Sequence, residues 1–134
     1  MSDPTDPHAW AARAEEDFLL ARSALRRKSP LLYGATFHAQ QCVEKYLKAL
    51  LVLRRQPFPR THDLVALHDL CAQSGIDVSV DPEQLERLTA YAVQVRYPGV
   101  APDLEETQEA FEIAQALRRW ARAVLRADLR EQDS

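Results

Sequence analysis

Apolar residues recur at intervals of three and four along nearly the whole chain, the pattern of helices that each bury one face. Trp10, Ala14, Phe18, Ala21 and Leu25 mark a first helix over 7–28, with Asp6 as N-cap and Pro7 at the first helical position. Glu15, Glu16 and Asp17 early in that helix and Arg26, Arg27 and Lys28 late in it oppose the helix dipole favourably. A second helix over 30–55 opens at Ser29-Pro30 and carries Ala35, Ala39, Val43, Tyr46, Leu50 and Leu53 along one side. Cys42, Leu47 and Leu51 widen that face, which makes this the central helix. The segment "QPFPR" ends it, because neither Pro57 nor Pro59 can continue a helix interior.

A third helix runs from Thr61 or His62 to Ser74 on the stripe Leu64, Leu67, Leu70 and Cys71. Thr61 reads as its N-cap and Asp63 as a first-turn carboxylate facing the dipole. Gly75 is placed as the left-handed residue after the helix, with Ile76 supplying the accompanying apolar contact. Asp81, Pro82 and Gln84 start a fourth helix over 82–97, with Leu85, Leu88, Ala92 and Val95 inward. Asp103 and Glu106 have capping-box spacing and start a fifth over 104–129. Ala110, Ile113, Leu117, Trp120 and Val124 face its core, helped by Phe111, Ala114 and Leu125, while Arg118, Arg122, Arg126 and Arg130 form its outer face. The alternation in "IDVSV" at 76–80 is short and isolated and reads as loop. The expectation is an all-α, up-and-down bundle of about five helices. It occupies 7–129 as a single domain, after a disordered segment 1–6 and before a C-terminal tail 130–134.

Composition agrees with that outline. A chain of 134 residues fits one core, and 3 glycines among abundant Ala, Leu, Glu, Gln and Arg favour helix. No run reaches the ~18 consecutive apolar residues of a membrane span. The start, "MSDPTDPHAW", lacks a signal-peptide pattern, so a cytoplasmic location is expected. Cys42 and Cys71 are too few for a disulfide framework and read as buried free thiols. The net charge of −3 is unevenly spread: 29–62 carry five basic residues against one acidic, and 63–112 carry two against eleven.

Candidate chemistry lies mainly in "FHAQQCVEKYLKALL", residues 37–51. His38, Gln41, Lys45 and Lys48 follow one another at spacings of 3, 4 and 3, a stripe that suits phosphate or RNA contact. Glu44, four residues before Lys48, offers the competing reading of an ion pair on a solvated face. His62, at a helix start, is placed to donate to a phosphate. Arg96 and Tyr97 stand at the end of the fourth helix, where Pro98 and Gly99 stop it; as a plain C-terminal cation Arg96 would satisfy orphan carbonyls. The pairs His38–Cys42 and His68–Cys71 have ligand-compatible helical spacing. In a hairpin of the second and third helices, however, the two pairs lie roughly 7 Å out of level, so no metal is expected. The chain has no glycine-rich phosphate loop, no Cys-x-x-Cys and no nucleophile elbow, and no cofactor is expected.

The sequence "HAQQCVEKYLKALL", followed by the proline-broken loop, "THDLVAL" and the later "RYPG" at a helix end, resembles the HEPN domain family over about residues 8–125. That resemblance implies a helical bundle that forms homodimers. Many members are RNases acting as toxins or in defence, without a metal. Others act with a minimal nucleotidyltransferase partner and bind nucleotides. Catalytic members carry an arginine followed four to six residues later by histidine, near the end of the fourth helix. Arg96 matches that arginine, but no histidine follows it, and the last one in the chain is His68. The resemblance therefore points to a non-catalytic or degenerate member that binds nucleotide or RNA phosphate. Arg96 is its phosphate contact, Tyr97 a stacking or hydroxyl group beside it, and Lys45, Lys48, Gln41, His38 and His62 are secondary. The alternatives are a metal-independent RNase toxin with an unorthodox site, and a structural adaptor that binds no nucleotide.

Overall fold

The computed structural model describes residues 3–94, 98, 99 and 101–133. Five helices follow one another: α1 (Pro7–Arg26), α2 (Leu32–Leu53), α3 (Leu64–Gln73), α4 (Pro82–Gln94) and α5 (Leu104–Asp133). No strand occurs among the described residues, and none of these helices is long and apolar enough to cross a membrane.

The caps form largely as the residue types require. Asp6 accepts from the His8 amide at 2.9 Å. Asp81 and Gln84 bond reciprocally at 2.9 and 3.2 Å, as do Asp103 and Glu106 at 2.7 and 3.1 Å. After α3, the Gly75 amide donates to Ala72 O and the Ile76 amide to Cys71 O. Gly75 has φ 81°, and Ile76 is buried against the core. The same double bond closes α2, from Arg55 to Val52 O and from Gln56 to Leu51 O. There the left-handed position is held by an arginine, Arg55, at φ 54°.

Several boundaries differ from the sequence-based expectation. The chain stays extended past Ser29-Pro30, held by the Leu31 amide on Ala24 O at 3.0 Å, and α2 begins only at Leu32. Asp63, not Thr61, caps α3, accepting from the Val65 and Ala66 amides; Thr61 Oγ1 instead accepts from the Asp63 amide. Asp3 Oδ1 accepts from the Thr5 amide and hydroxyl, and Trp10 Nε1 donates to Pro4 O at 2.9 Å. At the other end α5 continues to Asp133, so 130–133 extend the helix; no Gly or Pro follows Pro102 to stop it.

The second helix is central, as its wide apolar face implies: it packs against all four others. Ala39, Val43, Tyr46, Leu47, Leu50 and Leu51 are buried, and each large apolar side chain contributes about 1.5–3 kcal/mol by leaving water. From α1 come Ala14, Phe18 and Ala21, with Phe18 stacked on Phe111 of α5 at 5.4 Å between ring centroids. Ile76 and Val80 anchor the loop between α3 and α4 to the same core. Cys42 and Cys71 lie within it as free thiols. Burial pushes both thiols up, Cys71 to about 12, so neither is a ready nucleophile.

Candidate functional site

The polar residues of α2 do not share one wet stripe. Packing of α1 and of the loop before α3 against this helix sorts them into separate groups. Asp17 of α1 is buried between His38 Nδ1 at 2.7 Å and Lys45 Nζ at 2.5 Å. Glu44 is buried too, taking Lys48 Nζ on one oxygen at 3.1 Å and His62 Nδ1 on the other at 2.8 Å. Gln40 Nε2 lies 3.4 Å from both Glu44 Oε1 and His62 O. The Lys48 ammonium also sits 5.8 Å from the ring centroids of Trp10 and Phe58, which meet edge to face. The proline-broken loop thus delivers Phe58 as a lid on a buried ion pair.

A third group joins α1, α2 and α5. Glu15 receives Arg118 Nε at 2.8 Å and Nη2 at 2.5 Å, the Tyr46 hydroxyl at 2.7 Å, and Arg122 Nη1 at 3.6 Å. The Arg118 guanidinium also lies 4.2 Å over the Phe18 ring. Bonding by Arg118 holds the Glu15 carboxyl below its ordinary value, against the opposing effect of burial. Burial, then the Glu15 bond, pushes the Tyr46 phenol up.

Three expectations are refined by this pairing. Lys48 pairs with Glu44, as the competing reading of their spacing has it, and Lys45 and His38 both pair with Asp17. Glu15 and Asp17 bind cations from α2 and α5 instead of opposing the α1 dipole. Arg118 turns inward, leaving Arg122, Arg126 and Arg130 as the rest of the outer row. The sequence held a sign of this. Asp17 falls within the spacing Ala14, Asp17, Phe18, Ala21, and Glu44 lies beside Val43 and Tyr46, so both acids occupy buried positions and need cationic partners.

A cleft of about 270 Å³ lies between α2, the start of α3 and α4. From α2 it takes Phe37, Gln40 and Gln41; from the α3 start, His62 and Asp63; from α4, Thr89, Ala92 and Val93. Two of the sequence candidates, Gln41 and His62, are brought together here. Gln41 Nε2 donates to Gln40 Oε1 at 2.9 Å, which sets the amide's orientation. His62 Nδ1 lies 2.8 Å from Glu44 Oε1, on a side chain 70% exposed, and Nε2 has no partner among the described residues. Thr89 Oγ1 is the one buried side-chain polar atom among the described residues that has no hydrogen-bond partner. Phe37 and Thr89 were not singled out in the sequence, where nothing distinguishes them from ordinary helix residues, and Gln40 entered only as part of the family-like motif. Arg96 and Tyr97 lie outside the described residues; the backbone of α4 is described to Gln94, and Pro98 and Gly99 form a turn. Among the described residues no three His, Cys, Asp or Glu side chains gather at metal-ligand range.

This bundle, with a polar cleft beside the end of its fourth helix, falls in a known class. Residues 7–124 match the HEPN domain, and the chain belongs to that family. Among solved structures it is similar to TT1696 from Thermus thermophilus, at 26% identity and a TM-score of 0.65, over 87% of this chain and 96% of that one. No curated protein matches it.

Proposed function

We propose that this chain is a HEPN module that binds nucleotide or RNA phosphate without cleaving RNA, as a cytoplasmic homodimer acting beside a minimal nucleotidyltransferase. One observation carries the reading. Gln40, Gln41 and His62 share a cleft with the last described turn of α4, the segment that runs toward Arg96. Arg96 is the phosphate contact and Tyr97 the stacking or hydroxyl group next to it. Lys45, Lys48 and His38 are held by in-chain carboxylates and support the site instead of touching the ligand. No histidine follows Arg96, so the proton transfer that cleavage needs has no group at the family's position. Titration with nucleotides and short RNAs tests the reading: binding is expected, weakened at least tenfold, on the order of one charge-assisted contact, by Arg96→Ala. Absence of any Arg96-dependent binding refutes it. Light scattering of the pure protein tests the dimer, and co-purification with the nucleotidyltransferase tests the partner.

A second reading has one specific observation in its favour. Glu44 Oε1 lies 2.8 Å from Nδ1 of His62, which lines the cleft, and Nε2 has no partner among the described residues, the arrangement in which a carboxylate orients a general base. Under it, the chain is a metal-independent RNase in which His62 takes the proton of a ribose 2′-hydroxyl. RNA cleavage lost in both His62→Ala and Arg96→Ala would establish this, and RNA left intact by the pure protein would reject it.

A further inference from the structure

Three large aliphatic side chains stand in solvent around the turn from α1 to α2. Leu19 and Leu20 are each 45% exposed and Leu31 is 51% exposed. Neither the core nor the α2–α4 cleft takes them in. The same stretch carries Arg22, Arg26, Arg27 and Lys28, and no Asp or Glu occurs from Phe18 to Val43. Among the described residues none of these four cations has a carboxylate partner. Arg22 lies 5.6 Å over the Phe18 ring, the one contact of this kind in the group.

Leucines and cations share one face. At 3.6 residues per turn, Arg22, Arg26, Leu19, Ser23, Arg27 and Leu20 follow one another in that order around about 160° of α1. Leu19, Arg22, Ser23, Arg26 and Arg27 line one open depression there. The Leu31 amide donates to Ala24 O at 3.0 Å, and Ala24 shares the stripe of Leu20 and Arg27, so the third leucine joins the face at its end. Exposed Glu16, a turn earlier, bounds the face on its other side. Among the described residues α1 packs against α2 and α5 alone, so the acids of α3 and α4 do not touch it.

Charge and apolarity together select the occupant. Four unpaired cations within seven residues call for a dense anionic partner, and exposed leucines call for hydrocarbon. Nucleic acid meets the first need only, because its backbone offers nothing to aliphatic side chains and none of the six α1 positions carries a ring to stack a base. An anionic bilayer meets both, with phosphates at the level of the cations and acyl chains beneath them. Long cationic side chains keep their heads at that level while their stems lie along the leucines. Being too polar to cross a membrane, α1 lies on the surface.

We propose that this face of α1 docks on an anionic lipid bilayer. Leu19, Leu20 and Leu31 enter the boundary between headgroups and acyl chains, and Arg22, Arg26, Arg27 and Lys28 take up the phosphates. The face shares no residue with the α2–α4 cleft, so it stands or falls separately from the phosphate reading above.

Co-sedimentation of the whole chain with vesicles of mixed phosphatidylglycerol and phosphatidylcholine, and with vesicles of phosphatidylcholine alone, tests the proposal. Binding is expected to the anionic vesicles only, and it should fall as salt is raised. Each cation near such a surface contributes about fivefold in affinity, so Arg26→Gln with Arg27→Gln should lose about 25-fold. Leu19→Asn with Leu20→Asn, checked for fold by circular dichroism, should lose about tenfold or more by removing the inserted hydrocarbon. Equal binding to both vesicle types, or none to either, overturns the proposal. So does binding to anionic vesicles that survives both double variants. A poly-glutamate peptide or a short RNA that binds through Arg26 and Arg27, with no vesicle binding, assigns the face to another polyanion and overturns the bilayer. If the leucine variant changes the oligomeric state in light scattering yet binds vesicles like the parent, the leucines form an interface between copies and the proposal is overturned.

Discussion

Replacing Glu44 by glutamine is expected to destabilise the fold by about 3–5 kcal/mol, because it strands a buried cation. The Glu44 side chain is 5% exposed and that of Lys48 is 9% exposed, with the charged atoms 3.1 Å apart. Glutamine keeps the shape but not the charge, so the ammonium stays in a site that water barely reaches. The Trp10 and Phe58 rings offset part of the loss, about 0.5–1 kcal/mol each, which leaves most of it uncompensated. Lys48→Met leaves the opposite charge behind, with His62 and Gln40 as its remaining partners, and should fall toward the lower end of the same range. The double variant Glu44→Gln with Lys48→Met removes both charges and should lose much less than the sum of the singles. Urea unfolding followed by circular dichroism checks this, as midpoints that fall at nearly constant slope. A domain of this size is stable by about 5–15 kcal/mol, so the single variants remove a large part of the margin. Singles that stay within about 1 kcal/mol of the parent, or a double variant equal to their sum, would refute the reasoning. So would a Lys48→Met protein of parental stability that has lost nucleotide binding, since that would make Lys48 a ligand contact.

Other consequences are open to direct measurement. Arg55 occupies a left-handed position that glycine adopts freely, so Arg55→Gly should stabilise the protein by about 0.5–1 kcal/mol, read as a higher urea midpoint. Glu15 has a folded-state pKa below its ordinary 4.5, so its contribution is complete above that value and is lost as pH falls through the lowered one. Glu15→Gln should therefore weaken the fold at neutral pH and flatten the acid side of a stability-against-pH curve; an unchanged acid limb would show that the Arg118 contact contributes nothing. The thiols of Cys42 and Cys71 are buried and pushed up, Cys71 to about 12, so iodoacetamide at mildly alkaline pH should modify them only at the rate of unfolding. Rapid modification of the native chain, followed by mass spectrometry, would contradict the packing.

Much of this architecture was readable from local rules. Asp6, Asp81 with Gln84, and Asp103 with Glu106 cap their helices through bonds to amides within three residues, so their outcome depends on nothing distant. Gly75 and Ile76 close α3 for the same reason. The apolar periods of α2 and α5 identified the core, because a helix face of that width has to be covered. The resemblance in "HAQQCVEKYLKALL" and "THDL" led to the HEPN family, to which the chain belongs. The polar chemistry was less legible. His38, Gln41, Lys45 and Lys48 look equivalent along α2, since periodicity gives the angle of a side chain around its own axis but not what lies opposite. Asp17, twenty-one residues before His38 in the chain, and Phe58, in an irregular loop, make the difference. Only the packing of the helices brings them to α2, withdraws both lysines into ion pairs, and leaves Gln41, His62, Phe37 and Thr89 around one cleft. The helices and the face each one buries were written into the chain, because those follow from contacts a few residues apart. Which polar groups remain available to a ligand depended on partners from other helices, and no spacing within one helix encodes that.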